Sequence, residues 1–186
     1  MSILMIARAG HPVLQGRAAE VEDPGAPEIR RLVADMMETM EAAPGVGLAA
    51  PQVHVPIRLV VFRIPEGRGT GAEDDYPLGN SVMINPVIEP LGPDMALGWE
   101  GCLSLPGLRG AVPRWTRIRY SGVDCDGNRI VREVGGFHAV VIQHECDHLD
   151  GVLYPMRMLD MSTLGFVDEI ERVMQEQAAS QEGMSA

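Results

Sequence analysis

The sequence predicts an α+β domain with mostly antiparallel sheet, and three observations carry that prediction. Strand-like and helix-like stretches interleave without the regular spacing of βαβ units. Two alternating runs, Trp115 to Val123 and Ile130 to Val134, flank an Asp126-Gly127 turn and read as a hairpin. Three further segments have a helical period of apolar residues, one near each end and one between them. A chain of 186 residues suits a single domain, read here as residues 1–174. Residues 175–186 are polar and small and read as a flexible C-terminal tail.

Each element has a local cause. Ile29, Leu32, Val33, Met36, Met37 and Met40 recur at spacings of three and four, so Pro27 to Ala43 is a helix that Pro44 stops. Gly45 to Gln52 is a glycine-rich turn, and Arg58 to Ile64 a strand. Pro65 to Asn80 reads as a surface loop, with its acidic stretch Glu73 to Asp75 in solvent. Ser81 to Ile88 is a strand in which Pro86 predicts an edge or a bulge. Gly101 to Pro106 reads as a short strand between breakers. Phe137 to Asp150 is a helix with an apolar first half and a polar second half, capped by Gly151. Ser162 is placed to N-cap a last helix with Leu164, Val167, Ile170, Val173 and Met174 inward.

Composition narrows the partners. There are 26 acids against 15 bases, every base an arginine, for a formal charge of −11. Such a chain has no general attraction for nucleic acid or anionic lipid. Three cysteines make a poor disulfide framework and fit a reducing compartment. The apolar start, Ile3 to Ile6, is too short for a signal sequence, and no apolar run reaches membrane-span length. A bacterial cytoplasmic protein is the expectation.

The residues that carry chemistry lie on the helix with the polar second half. His144-Glu145-Cys146-Asp147-His148 fits H-E-x-x-H. Histidines four apart lie one turn apart on one face and can grip one ion. Glu145 lies about 100° round the helix from His144, where it can act as a base without being a ligand. A catalytic site of this kind usually has a third protein ligand, and three routes are open. Glu169 or Glu171 on the last helix is one. The extended pattern with a third histidine is another, but Tyr154 stands in that place. A cysteine is the third: Cys146 points away from the ligand face, Cys125 sits in a turn, and Cys102 is hemmed by small residues.

Three segments taken together, Gly45-Val-Gly-Leu-Ala-Ala-Pro-Gln52, Glu100-Gly-Cys-Leu-Ser104 and Gln143 to Gly151, resemble the three motifs of the peptide deformylases, in order. His11-Pro12 with Leu14 and Val112-Pro-Arg114 add to the resemblance, which covers roughly Ile3 to Phe166. It implies sheet wrapped around the helix of the two histidines. It implies removal of the formyl group from N-formylmethionyl nascent chains. It also implies one divalent metal on Cys102, His144 and His148, Fe2+ in first place, with Zn2+, Ni2+ or Co2+ possible. By the same resemblance Glu145 is the general base, and the Leu103 N–H and the Gln52 amide meet the formyl oxygen. The Gly47 carbonyl accepts the formamide N–H. Val46, Phe137, Val140, Val141 and His144 wall the methionine pocket, and Arg109 meets the peptide backbone. Glu100 and Arg114 pair to fix the cysteine loop, with Asp147 in a similar supporting place. His11, His54 and His138 have no assigned role. Residues 168–186 hold five acids and only Arg172 as a base, so any ribosome contact is not through a basic tail.

Overall fold

The computed structural model describes the backbone of residues 2–184 and the side chains of residues 2–176. Among the described residues three α-helices are present: α1 (Pro27–Ala42), α2 (Gly136–Leu149) and α3 (Val167–Met184). Strands β1 (Gly47–Ala49), β2 (Leu59–Ile64), β3 (Leu78–Pro90), β6 (Arg117–Val123) and β7 (Arg129–Gly135) form an antiparallel sheet in the order β1-β2-β3-β6-β7. Strands β4 (Met95–Cys102), β5 (Leu105–Trp115) and β8 (Gly165–Phe166) form a second antiparallel sheet in that order. The chain is α+β, as its pattern predicts.

Strand β2 explains the layering. Its residues are buried almost without a break, because both faces are covered. Leu59 and Val61 pack with Val33, Met36 and Met40 of α1. Val60, Phe62 and Ile64 pack with Val141, Ile142, Cys146 and Leu149 of α2. The alternation of side chains along a strand thus divides one apolar run between two cores. Helix α2 is also covered on its remaining sides, and Ala139 to Leu149 is buried apart from half-buried Val140.

Several expectations shift. Strand β3 starts three residues before Ser81, taking the end of the expected loop. The bulge anticipated at Pro86 is present: the ladder slips between Ile84 and Val87, and Asn85 takes φ +51°. The Asn85 amide holds the Val21 backbone through both its groups. The short strand expected at Gly101 to Pro106 is instead the tip of the long β4–β5 hairpin, whose four glycines and two prolines blur its alternation. Ser162 does not cap α3. It sits in a one-turn helix under the Asp160 carboxylate, and α3 begins five residues later. The polar segment from Gln175 is helical backbone as far as Met184. The remainder of the expected tail, Ser185 and Ala186, and the side chains from Gln177, lie outside the described residues.

The acidic loop is also not simply solvated. Asp75 is buried and accepts from the N–H groups of Phe137 and His138 at 3.1 and 3.0 Å. It satisfies the open first turn of α2, where Gly135 and Gly136 bring no capping side chain. Gly136 has φ +50°, and a Cβ there would meet the Asp75 carboxylate at 2.1 Å. Burial pushes the Asp75 carboxyl up, but hydrogen bonds from Thr70, His138 and Phe137 outweigh it and hold it below its ordinary value.

Candidate active site and metal centre

Helix α2 presents His144 and His148 on one face toward the end of β4, where Cys102 stands. The three ligand atoms lie within 4.8 Å of one another. Cys102 Sγ is 3.3 Å from His148 Nε2. A tetrahedral ion with sulfur at ~2.3 Å and nitrogen at ~2.0 Å holds those atoms roughly 3.5 Å apart, so the donor set fits a divalent metal. Among the described residues no other group of histidine, cysteine or acid converges in this way. Glu169 is exposed on α3 and pairs with Arg172, and Glu171 is exposed as well. Tyr154 is buried and stacks on the His144 ring, with centroids 6.3 Å apart. Cys146 packs into the core of α2, where burial pushes its thiol up and keeps it protonated.

Supporting groups orient the donors. Glu100 accepts from His144 Nδ1 at 2.7 Å, so the Nε2 lone pair is left for an ion. Arg114 donates to both Glu100 oxygens, at 2.7 and 3.0 Å, and to Asp147 at 2.6 Å. Arg157 closes the chain on Asp147 with two further bonds. The pairing of Glu100 with Arg114 is therefore not a weak surface bridge: both side chains are about 5% exposed. Burial pushes the Glu100 carboxyl up, but His144 and Arg114 outweigh it and hold it below its ordinary value. Burial, then the positive charges of His144 and Arg114, hold His148 well below its usual pKa, as a neutral donor. Burial lowers His144 too, but the bonds to Cys102 and Glu100 outweigh it and hold it well above the ordinary value. An ion taken up there displaces a proton.

A cavity of about 470 Å³ opens beside these donors. Val46, Gly47, Gln52, Cys102, Leu103, Arg109, Phe137, Val140, Val141, His144 and Glu145 all line it. Of the expected site residues only His148, fully buried, does not. The Glu145 carboxyl is raised to about 7, chiefly by burial, with His144 drawing it partly back. Its Oε2 is buried and has no hydrogen-bond partner. Gly47 faces it so closely that a Cβ would lie 2.2 Å from Glu145 Oε1. Glycine is required here for space, since its φ is not among the positive ones.

Gln52 is held in one orientation. Its Oε1 accepts from the Ala49 N–H at 2.9 Å, and its Nε2 donates to Ser104 Oγ at 3.0 Å and faces Cys102 Sγ at 3.6 Å. The Ser104 N–H also donates to Cys102 Sγ, at 3.4 Å. The geometry therefore offers three donors, a cysteine sulfur and two imidazoles, beside a carboxylate base and an oriented amide, in one partly enclosed space.

A profile of the polypeptide deformylases matches residues 3–163. Peptide deformylase 1 of Bordetella pertussis is 52% identical over 167 residues, 88% of this chain and 92% of that protein. The chain belongs to the peptide deformylase family. Peptide deformylase 1 of Nitrosomonas europaea is 47% identical over 165 residues, 89% of this chain and 93% of that protein. Among solved structures, the peptide deformylase of Ehrlichia chaffeensis in complex with actinonin is 35% identical, with a TM-score of 0.79, over 95% of this chain and 98% of that one. The Thermotoga maritima peptide deformylase is 33% identical, with a TM-score of 0.77, over 86% of this chain and all of that one. As a member of this family the chain is a hydrolase. Among the described residues no helix is long and apolar enough to cross a membrane.

Some site groups escaped the sequence reading. Asp75 lies 63 residues from the His138 N–H it holds, Arg157 only ten from Asp147, and nothing local marks either. Ser104 and Gln143 had a signal, since both fall inside the resembling segments. Gln143 brackets the Trp115 backbone, accepting at 3.0 Å and donating at 2.9 Å, and so ties α2 to the end of β5.

Proposed function

We propose that the cavity beside Cys102 is where the chain hydrolyses the formyl group from N-formylmethionyl nascent peptides, with Cys102, His144 and His148 holding one divalent ion. The convergence of these three donors next to an unpartnered buried carboxylate carries the reading. A thiolate donor suits softer, redox-active ions, which favours Fe2+ and leaves Zn2+, Ni2+ and Co2+ as substitutes. A bound ion supplies Lewis acidity and brings hydroxide within reach near neutral pH.

The remaining work belongs to side chains and backbone. Glu145, its pKa near 7, takes the proton of the attacking water and returns it to the leaving amine. The fixed Gln52 amide and the Leu103 N–H face the negative charge that grows on the formyl oxygen. The Gly47 carbonyl accepts the formamide N–H. Val46, Phe137, Val140 and Val141 give the methionine side chain an apolar wall, and Arg109 at the rim meets the peptide backbone. Residues 1–174 act as the catalytic domain, in a bacterial cytoplasm, and contact with the ribosome does not use a basic tail. Formate release from a formyl-methionyl tripeptide by protein purified anaerobically tests this reading. Release by the intact chain and its loss in Glu145→Gln are expected; no release by the intact chain loaded with Fe2+ or Ni2+ contradicts it.

A further inference from the structure

Two segments 52 residues apart meet beside Cys102, and a third segment joins them. Gln52 lies in the one-turn helix Ala50–Val53 after β1, and Ser104 at the tip of the β4–β5 hairpin. Strand β1 belongs to one sheet and β4 to the other, so no ladder sets the distance between them. The N-terminal segment does so instead. The Ala7 N–H donates to the Gln52 carbonyl at 2.7 Å, and the Ala9 N–H to the Ser104 carbonyl at 2.9 Å. The chain then turns away. The His11 N–H donates to the Arg8 carbonyl at 3.0 Å, with Gly10 at φ +100° and Ala9 at negative φ, as a type II turn requires.

Across this join the two side chains meet. Gln52 Nε2 donates to Ser104 Oγ at 3.0 Å, and both residues are only 1% exposed, so bulk water does not compete for the contact. A primary amide carries two N–H groups and one oxygen. The Ala49 N–H holds the oxygen at 2.9 Å and Ser104 takes one N–H. Nε2 also lies 3.6 Å from Cys102 Sγ, so the second N–H is turned toward the ligand sulfur. Sulfur is a weak acceptor, and this N–H is free to exchange it for an oxygen that gains negative charge. The last torsion of a glutamine is soft. Held by Ala49 alone, the amide would swing about that one bond and lose its aim.

We propose that Ser104 is a positioning residue for deformylation. Its hydroxyl holds the Gln52 amide so that the remaining N–H meets the formyl oxygen, and the N-terminal segment, through Ala7 and Ala9, keeps the two residues in reach of each other. The inference rests on the reading of Gln52 given above. Ser104, Ala7 and Ala9 do not line the cavity, so their hold on the reaction runs through Gln52. The Ser104 N–H also reaches Cys102 Sγ, but that bond belongs to the backbone and survives Ser104→Ala.

The test measures kcat, KM and metal content on a formyl-methionyl tripeptide for wild type, Ser104→Ala and Ala9→Pro, each with and without Gln52→Ala. Ser104→Ala removes only the hydroxyl and is expected to lower kcat about tenfold, part of the ~10²–10³ that a lost oxyanion donor costs. KM and metal content should stay near wild type. Proline suits the first central position of the turn but lacks the N–H that the Ser104 carbonyl accepts, so Ala9→Pro should lower kcat about threefold. Neither change should cost more than about twofold once Gln52 is alanine, because groups that act through one another are not additive. Equal losses with and without Gln52, or a wild-type kcat in Ser104→Ala, overturn the proposal and leave the deformylase reading intact. Should Ser104→Ala fail to fold, the Ala9→Pro cycle decides by the same criterion. No formate from wild type overturns that reading and the proposal with it.

Discussion

The two ends of α2 both bury polar groups, but they satisfy them differently. At the start, the backbone N–H groups of Phe137 and His138 are taken up by Asp75, and the His138 Nε2 meets the Tyr120 hydroxyl at 3.1 Å. That end is nearly closed, with His138 Nδ1 the buried atom there that lacks a partner, and its polar atoms serve the fold. At the far end, the Glu100, Arg114, Asp147 and Arg157 chain holds His144 from behind, while Glu145 Oε2 and the Cys102–His148 pair are left open to a common point. The same helix is thus pinned at one end so that unsatisfied groups at the other stay where chemistry needs them.

The largest effects should come from the open end. Glu145→Gln keeps the shape and removes the base, so kcat should fall by ~10²–10⁴ with the ion retained, measured by formate release and metal analysis. Gly47→Ala puts a Cβ where Glu145 Oε1 now lies. The displaced carboxylate should lower kcat by about 10² while peptide KM changes far less. An equal loss in both parameters would move Gly47 from the chemistry to the binding wall.

Arg114→Met strips two carboxylates of a buried partner. It should destabilise the fold by about 3–5 kcal/mol, read in urea, and weaken ion binding ~10–100-fold, read by chelator competition. At the closed end, Asp75→Ala should lower stability by about 1–2 kcal/mol, as loss of a cap does, with metal content unchanged. A change in metal content would show that the two ends are more tightly coupled than described.

The last effect is a pH slope, spread over more than two pH units. Burial, helped by the Arg132 charge, lowers His138 from its ordinary 6.5 to about 4. Between those values the unfolded chain binds a proton that the folded chain refuses, so stability is full above pH 6.5 and falls as pH drops toward 4. Stability of metal-loaded protein against pH, with His138→Gln as the comparison, checks this. The variant should lose part of the slope in that window and none above it.

The difference between the ends also explains what the sequence made legible. The open end was readable because helical spacing puts His144 and His148 on one face, and because its partners sit in short segments whose order is distinctive. Spacing alone left three routes to the third ligand; the resemblance pointed to Cys102, and the placement of β4 against α2 brings Cys102, not Cys146 or the acids of α3, to the two histidines. The closed end was not readable, since Asp75 meets α2 from 62 residues away across a loop that looks like surface. The β4–β5 hairpin was hidden for another reason. Its Gly98, Gly101, Gly107 and Gly110 carry no side chain to alternate, and Gly110 lets Met158 and Tyr154 pack where a Cβ would sit 2.6 Å from the sulfur.

The central claim is that a cysteine thiolate from β4 completes a metal site begun on α2. Metal analysis of anaerobically purified wild type and Cys102→Ala, each followed by formate release from a formyl-methionyl peptide, tests it most directly. The account predicts one ion per wild-type chain with formate released, and loss of both in the variant. A variant that keeps a full equivalent of metal and its activity would contradict it.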